Sequence, residues 1–273
     1  MHYNIFGGSG FIGSHFYLQS PYESTVVPRN VNTPSIPKSD IIYFISTTHN
    51  YNIYSDPHLD INTNLTKLVD VLHALGPGPE VFNYISTWFV YGTRHGMHNA
   101  VETDAPNPNG FYSITKLCAE QLVASYCQTI GRPYRILRLC NVVGNDPNAS
   151  ARKNAIEFMI SQLQNNLPIR LYRENHARNF MHVSDVCRAI RLICDQGEIN
   201  TVYNVGNKCG SLRIHDIINK ISRDSTLINI IDSPLFHKNI QGGDFYMNVD
   251  KLTAIGFTPI IDVFDFLTNK PNN

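Results

Sequence analysis

The sequence predicts an α/β protein with a doubly wound parallel sheet, and three features of the 273-residue chain support this fold class. Short apolar runs alternate with segments of helical periodicity through the first half, which is the pattern of βαβ units. A glycine-rich turn, Gly7–Gly13, directly follows the first strand-like run. The run Asp40–Ser46 is apolar between its ends, as expected for a strand buried at the centre of a parallel sheet.

Each element follows from its residue periodicity. In the first half we expect strands at 3–6, 25–27, 40–46, 81–86 and 134–141, and helices at 11–19, 62–75 and 112–130. Only about a dozen residues separate the second and third strands, so we expect the sheet to be abbreviated after the second strand. Beyond Gly144 we expect helices at 155–163 and 183–193, strands at 169–172 and 201–205, and a mixed α/β tail at 212–221, 227–231 and 262–267.

The composition excludes several classes of protein. Lys plus Arg and Asp plus Glu both total 22, so the basic surplus of a nucleic-acid-binding protein is missing. No apolar run approaches the roughly 20 residues of a membrane span, and the start of the chain does not resemble a signal peptide. The six cysteines have no metal-ligand spacing and are expected to be reduced thiols of a cytoplasmic protein, with neither disulfide nor metal.

The glycine turn is the first candidate functional feature. Gly7, Gly10 and Gly13 stand between a strand and an amphipathic helix, where glycine permits a tight turn, a close approach of backbone to a pyrophosphate, and close helix–strand packing. The backbone of Phe11 and Ile12 would add free N–H groups at the positive end of the helix. The spacing is one residue longer than the usual dinucleotide fingerprint. The turn therefore predicts a Rossmann-type domain that binds NAD or NADP.

The end of the second strand indicates which dinucleotide is bound. An acid there binds the ribose 2′-hydroxyl of NAD, whereas an arginine favours the 2′-phosphate of NADP. The second strand is followed by Pro28, Arg29 and Asn30, with no acid. We expect NADP to be favoured through Arg29, with NAD as the alternative.

A tyrosine and a lysine four residues apart form the candidate catalytic pair. Tyr112 and Lys116 open the long predicted helix and lie on one of its faces. A phenol with a pKa of about 10 is a poor base at neutral pH, but a neighbouring ammonium group would lower that pKa. The strand before this helix ends in Ser86-Thr87, at the sheet edge where ligands bind.

With these motifs in place, the chain resembles the extended short-chain dehydrogenase/reductases, in the nucleotide-sugar epimerase/dehydratase branch. The resemblance covers nearly the whole chain and is carried by a series of motifs in order: GGSGFIG, DIIYFIS followed by Asp56-Pro57 and Asn62, STWFVYG, YSITK, RLCNVVG, RNFMHVSD and YNVGN. It implies hydride transfer between a nucleotide-linked sugar, usually at C4, and the nicotinamide of NAD or NADP.

The resemblance also implies roles for individual residues. Thr87 would polarise the sugar hydroxyl or carbonyl, Tyr112 would transfer the proton, and Lys116 would also hold the nicotinamide ribose. Ser46 and Cys140 would lie on the cofactor side. Asn141 and Arg178 would contact the substrate diphosphate, for which the planar guanidinium group is well suited.

Two departures from the family pattern narrow the reaction. Trp88 and Phe89 occupy positions where dehydratases carry Asp-Glu, and Phe89 stands where related epimerase-reductases carry a cysteine, so we expect neither a 4,6-dehydratase nor a 3,5-epimerase of that type. Gln241 replaces an arginine that grips the diphosphate, a role that Arg152, Lys153 or Arg173 could fill. Three functions stay open: a nucleotide-sugar epimerase, an NADPH-dependent 4-ketosugar reductase, and a non-catalytic dinucleotide-binding sensor or scaffold.

The resemblance divides the chain into two parts. We expect a dinucleotide-binding domain at 1–145 plus about 176–207. A small mixed α/β C-terminal lobe, at about 146–175 plus 208–273, would bind the substrate. A homodimer is a further expectation.

Overall fold

The computed structural model describes residues 2–28, 38–47, 50–92, 99–145, 154–222 and 224–269. Arg29, Arg152 and Lys153 therefore lie outside the described residues. Within these ranges no helix is both long enough and apolar enough to cross a membrane.

The described residues form a chain of alternating strands and helices. The strands are β1 (His2–Phe6), β2 (Glu23–Val27), β3 (Asp40–Tyr43), β4 (Phe82–Thr87), β5 (Asn99–Ala100), β6 (Tyr134–Leu139), β7 (Asn141–Val143), β8 (Ile169–Tyr172), β9 (Ala177–His182), β10 (Thr201–Val205), β11 (Ser211–Arg213), β12 (Ile228–Ile231) and β13 (Tyr246–Met247). The helices are α1 (Phe11–Gln19), α2 (Pro57–Ile61), α3 (Lys67–Leu75), α4 (Phe111–Ile130), α5 (Ala155–Gln164), α6 (Val183–Gln196), α7 (Ile214–Ile221), α8 (Leu235–Gln241), α9 (Asp250–Ala254) and α10 (Val263–Thr268).

A central sheet of six strands confirms the predicted fold class. Its order is β10-β6-β4-β3-β1-β2, and every neighbouring pair is parallel. The chain thus changes direction of progression between β1 and β3, which places a crevice above the carboxyl ends of these strands. In the described residues no further strand pairs with the free edge of β2, in line with the predicted abbreviation.

Apolar residues cover both faces of this sheet. One buried cluster joins Phe16 of α1 and Ile190 of α6 to Tyr3 and Ile5 of β1. A second cluster joins Leu68 of α3 and Val123 of α4 to the opposite sheet face. Helices on both faces explain why the strands are apolar on both sides, as the sequence of β3 indicated.

The third strand and the helix predicted over 62–75 both differ from the sequence prediction. The third strand ends at Tyr43 and not at Ser46. Its partner β1 also ends at this point, at Phe6, before Gly7 in a left-handed conformation (φ +82°). The helix predicted over 62–75 is preceded by α2, and a π-helical turn, Asn62–Thr66, connects α2 to α3. This turn carries the Asn64 side chain into the protein interior, where it is 1% exposed.

The remaining elements build smaller sheets beyond the carboxyl ends of the central strands. β11, β9 and β7 form a three-stranded sheet, and β12 pairs with β8 in parallel. A third apolar cluster lies among them and includes Ile160 of α5, Ile217 of α7 and Leu267 of α10. β8, β11 and β12 lie within the segments predicted as the mixed α/β lobe, whereas β7 and β9 lie within the segments predicted as the dinucleotide-binding domain.

Candidate active site

The glycine turn has the geometry of a phosphate cradle. The Gly10 N–H donates to the Gly7 carbonyl at 3.0 Å, and Gly10 is the N-cap of α1 without any side-chain cap. A Cβ atom at Gly10 would meet only one atom within 4 Å, the Gly7 oxygen at 3.3 Å. A Cβ at Gly13 would instead collide with that same oxygen. Open space therefore lies over Gly10 and the free N–H groups of α1, while Gly13 serves packing.

Three hydroxyl groups converge at the carboxyl edge of the central sheet. Ser46 follows β3, Thr87 ends β4, and Tyr112 stands in the first turn of α4. The Tyr112 hydroxyl lies within hydrogen-bonding reach of the Ser46 and Thr87 side chains. Adjacent parallel strands bring two of these residues together, and the start of α4 adds the third. The structure thus brings Ser46 into contact with the predicted pair Thr87 and Tyr112.

The start of α4 is fixed by local hydrogen bonds. The Ser113 hydroxyl accepts from the Gly110 N–H at 3.0 Å and donates to the Gly110 carbonyl at 2.8 Å. These bonds satisfy backbone groups that the helix leaves free at its first turn. They hold Tyr112, the neighbour of Ser113, in register with the end of β4.

Burial dominates the acid–base properties of Tyr112. Removal from water raises the pKa of the phenol, and the hydrogen bonds from Ser46 and Thr87 offset this only in part. The negative charge of Asp60 raises the pKa further. The prediction that Lys116 lowers the pKa of Tyr112 is therefore wrong, because this pKa is raised.

The position of the Lys116 side chain explains why it does not lower the pKa of Tyr112. Its side chain is 1% exposed, its Nζ donates to the Ile85 carbonyl at 2.7 Å, and it lies 4.3 Å from the centre of the Tyr84 ring. The ammonium group is thus bound to the backbone of β4. Burial lowers the pKa of Lys116 to about 7, although nearby Glu120 opposes this change.

Glu120 is neutralised by another cation. One helical turn after Lys116, its carboxylate lies 2.7 Å from Nη2 of Arg138 and also accepts from the Ser86 hydroxyl. The Arg138 Nε atom donates to the same carboxylate, so the contact is bidentate. This buried ion pair holds the middle of α4 against β4 and β6.

The residues expected on the cofactor and substrate sides follow β6. Cys140 is 5% exposed and burial raises the pKa of its thiol, so the group is a neutral, unreactive side chain. The Asn141 Nδ2 donates to the Asn179 carbonyl at 3.0 Å, and its Oδ1 accepts from the Trp88 Nε1 at 3.3 Å. Asn141 is thereby oriented by β9 on one side and by Trp88 on the other.

Arg178 is a buried cation without an ion pair. Its guanidinium group donates to the backbone carbonyls of Ala177, Gly243 and Gln241 and lies 5.6 Å from the Trp88 ring. Among the described residues no carboxylate forms a salt bridge with it. Burial lowers the pKa of Arg178 to about 10.

An aromatic wall stands beside Tyr112. Trp88 stacks on Phe89 at 4.1 Å and packs at a tilt against Phe245 at 4.4 Å between ring centres, and Phe89 meets Tyr112 edge-on at 6.3 Å. The side chains that follow Thr87 are therefore packed rings with no acid or base function. Arg173 lies apart from this wall, exposed and paired with Asp232 at 2.9 Å.

Sequence reasoning missed a buried polar group next to these residues. Asp60, Asn64 and Thr47 are each less than 9% exposed and hydrogen-bond to one another. The helical pattern of 62–75 gave no signal for them, because a π-helical turn breaks the 3.6-residue period at Asn64.

All six cysteines are free thiols, and no group of side chains that could bind a metal ion is found among the described residues.

Comparisons with known proteins extend these observations. The profile of the family described as NAD dependent epimerase/dehydratase family matches residues 4–206. A trifunctional UDP-glucose 4,6-dehydratase/UDP-4-keto-6-deoxy-D-glucose 3,5-epimerase/UDP-4-keto-L-rhamnose-reductase of Arabidopsis thaliana is 27% identical over 231 residues, covering 80% of this chain and 33% of that protein. The low-salt glycan biosynthesis protein Agl12 of Haloferax volcanii is 28% identical over 239 residues, covering 74% of this chain and 76% of Agl12.

A solved structure gives the same result for the fold. RMD from Pseudomonas aeruginosa, complexed with NADPH, superimposes with a TM-score of 0.81 at 24% identity and covers 98% of this chain and 96% of RMD. Relative to the first two relatives, the chain spans a third of the Arabidopsis protein and about three quarters of Agl12. Because the family profile matches well over half of the residues, the chain belongs to the NAD dependent epimerase/dehydratase family.

Proposed function

We propose that this protein transfers hydride between NAD(P) and a carbinol or keto carbon, C4, of a nucleotide-activated sugar. The observation that carries the proposal is the convergence of Ser46, Thr87 and Tyr112 at the carboxyl ends of β3 and β4, next to the open cradle over Gly10. A positioned phenol can exchange a proton with a substrate oxygen, which is the complement of hydride transfer at carbon. When bound, the nicotinamide supplies or accepts the hydride.

The neutral state of Tyr112 defines its first step. The phenol donates its proton to the carbonyl oxygen of a keto sugar while the adjacent carbon is reduced, and Thr87 holds that oxygen by a hydrogen bond. In the reverse direction the phenolate takes the proton back from the sugar hydroxyl. Lys116 would leave the Ile85 carbonyl or share its protons to hold the nicotinamide ribose, with Cys140 as a neutral neighbour.

Arg178 and Asn141 are proposed to bind the substrate diphosphate. The buried guanidinium carries a positive charge that no salt bridge neutralises within the described residues, and an anionic ligand would neutralise that charge. Asn141 is held by Trp88 close to this group. Under the same proposal, residues 1–145 plus about 176–207 bind the dinucleotide, and about 146–175 plus 208–273 bind the sugar nucleotide.

NADP is the proposed cofactor, through Arg29, which follows the second strand in the sequence. RMD, the structural relative, is complexed with NADPH. Phe11, Ile12 and the three glycines of the turn would bind the pyrophosphate, since a glycine cradle at a helix N-terminus suits an anion. NAD is the alternative cofactor, because the support from Arg29 comes from sequence alone.

Two reactions fit this site. The first is a nucleotide-sugar epimerase, which oxidises the sugar, lets the keto intermediate present its other face, and reduces it again. The second is a 4-ketosugar reductase, in which the neutral phenol of Tyr112 donates its proton to the keto oxygen. Both reactions use the same residues, so the cofactor balance distinguishes them.

The test is a measurement of cofactor and product together. Mass spectrometry of the purified protein identifies any retained NAD(H) or NADP(H), and UDP-, GDP-, CDP- and dTDP-sugars are then supplied as substrates. An epimerase converts its sugar without net consumption of cofactor, whereas a reductase oxidises one NADPH for each product. Tyr112→Phe is the control variant, and equal turnover by this variant would contradict the proposed mechanism.

We also propose a homodimer and a cytoplasmic location. Ile61 of α2, Val69 of α3 and Ile114 of α4 are 38%, 42% and 50% exposed, and we propose that they contribute apolar contacts to a second copy. Light scattering of the protein and of Ile114→Asp tests the dimer. The six free cysteines favour a reducing compartment.

A further inference from the structure

Asp60 is a fully buried acid beside the candidate active site. Its side chain is 0% exposed, and its Oδ1 accepts hydrogen bonds from the Thr47 hydroxyl and from the Asn52 Nδ2. Its second oxygen, Oδ2, is also buried and has no hydrogen-bond partner among the described residues. A carboxylate in this condition is costly to the fold, because burial removes water and nothing replaces it at Oδ2.

A chain of hydrogen bonds connects Asp60 to Tyr112. The Ser46 hydroxyl, within reach of the Tyr112 phenol, donates to the Asn64 Oδ1 at 3.2 Å. The Asn64 Nδ2 donates to the Thr47 hydroxyl at 3.0 Å, and that hydroxyl donates to Asp60. These hydrogen bonds run from the Ser46 hydroxyl to the buried carboxylate, and Ser46 in turn interacts with the Tyr112 phenol.

The direction of this chain is fixed by two backbone contacts. The Thr47 N–H, which can only donate, lies 2.9 Å from the Asn64 Oδ1 and so determines the orientation of the amide. The Thr115 hydroxyl donates to the Tyr112 carbonyl at 2.8 Å and so accepts from the Asn64 Nδ2. Every donor along the chain consequently points toward Asp60. Through Thr115 the same amide is also linked to the backbone of Tyr112.

The other charged groups near Tyr112 are already compensated. On α4, Lys116 is bound to the Ile85 carbonyl, and Glu120 forms its ion pair with Arg138. On β4, Tyr84 is a buried neutral phenol whose pKa is raised by burial. Asp60, in contrast, forms no salt bridge within the described residues.

We propose that Asp60 is a positioning residue that orders the Thr47–Asn64–Ser46 chain and, together with burial, keeps Tyr112 as the neutral, proton-donating phenol. This inference rests on the proposed function and deepens it, since it explains which protonation state the resting enzyme presents to a keto sugar. The unpartnered oxygen supports this role, because a carboxylate that served stability alone would have its acceptors satisfied.

The test compares Asp60→Asn with Asp56→Asn. Both variants remove one acid from α2 or its N-cap, but Asp56 is exposed and asparagine retains its capping bond to the His58 N–H. We expect Asp60→Asn to move the pH midpoint of turnover that depends on Tyr112 downward by about one pH unit, since loss of a nearby negative charge favours the phenolate. Asp56→Asn should leave that midpoint in place.

Two further measurements separate this role from a structural one. The ultraviolet difference absorbance of tyrosinate, between each protein and its counterpart that also carries Tyr112→Phe, reports the same midpoint without cofactor or substrate. Thr47→Val breaks the chain but retains the charge, so turnover should fall severalfold with little change of the midpoint. This variant also serves if Asp60→Asn does not fold.

The outcomes distinguish this inference from the proposed function. If Tyr112→Phe abolishes turnover while Asp60→Asn leaves both midpoints unchanged, the role of Asp60 is refuted and the function stands. If Tyr112→Phe turns over normally, the proposed function fails first. Equal downward shifts in Asp60→Asn and Asp56→Asn would also refute the inference, because they would indicate a general effect of net charge.

Discussion

Lys116→Met should make the protein more stable while it removes a functional ammonium group. The pKa of Lys116 is lowered from 10.5 to about 7 because the side chain is buried, and this difference corresponds to about 5 kcal/mol of destabilisation when the lysine is charged. Methionine has a similar length without a charge, but it loses the hydrogen bond to the Ile85 carbonyl, worth about 1 kcal/mol. The net gain in the free energy of unfolding is therefore about 4 kcal/mol at pH 6.

The gain should shrink as the pH rises. Below pH 7 Lys116 is protonated in both the folded and the unfolded protein, so the full cost of the buried charge is present. Between pH 7 and 10.5 the unfolded chain binds one proton more than the folded protein, so the stability of the unsubstituted protein increases with pH. At pH 9 about 2 kcal/mol of the cost remains, which leaves an advantage of about 1 kcal/mol for Lys116→Met.

Urea unfolding at pH 6 and at pH 9 measures both values. Lys208→Met is the matched control, because Lys208 is exposed and its replacement removes the same charge from the surface. A Lys116→Met protein that is no more stable than the unsubstituted protein at pH 6 would refute the buried charge. A gain that is the same at both pH values would refute the assignment of the effect to Lys116 titration.

Three further predictions concern the cofactor and the chemistry. Tyr112→Phe should lower turnover by about 10²–10⁴-fold with unchanged thermal stability, and near-normal rates in a steady-state assay would contradict the role of the phenol. Gly10→Val should abolish dinucleotide binding by calorimetry while circular dichroism stays native, because its side chain would enter the open space over the turn; retained affinity would remove the cradle from consideration. Arg29→Ala should weaken NADP binding about tenfold or more and NAD binding little, and a fall in both affinities would argue against a 2′-phosphate contact.

Local sequence patterns were sufficient for most of the fold. The bounds of α1 agree with the prediction at both ends, because the glycine turn and the apolar spacing of that helix are contained within the segment itself. The parallel central sheet followed from the alternation of apolar and amphipathic runs. The end of β3 was predicted three residues too late. β3 ends where its partner strand β1 ends, just before Gly7, and this depends on a distant segment of the sequence.

The chemistry of the site was less predictable for a physical reason. Spacing placed Tyr112 and Lys116 on one helix face, but the pKa values of both groups depend on burial by distant segments. The Lys116 Nζ is bound to a carbonyl of β4, a contact that helix periodicity cannot indicate. Asp60 escaped notice because a single acid in an apparently amphipathic region is usually a solvated residue.

Some of the buried charged groups of this site neutralise one another, and others have no partner of opposite charge. Glu120 and Arg138 form an ion pair that holds the middle of α4 in place. Because the two charges cancel, the pair adds no net charge to the crevice. Lys116 and Asp60 then remain as buried groups that no salt bridge compensates within the described residues, and a charge on either one destabilises the fold. A negative charge keeps the phenol protonated, whereas a protonated Lys116 that moves toward the phenol would favour the phenolate. Movement of the Lys116 ammonium group away from the Ile85 carbonyl would therefore decide when Tyr112 releases its proton.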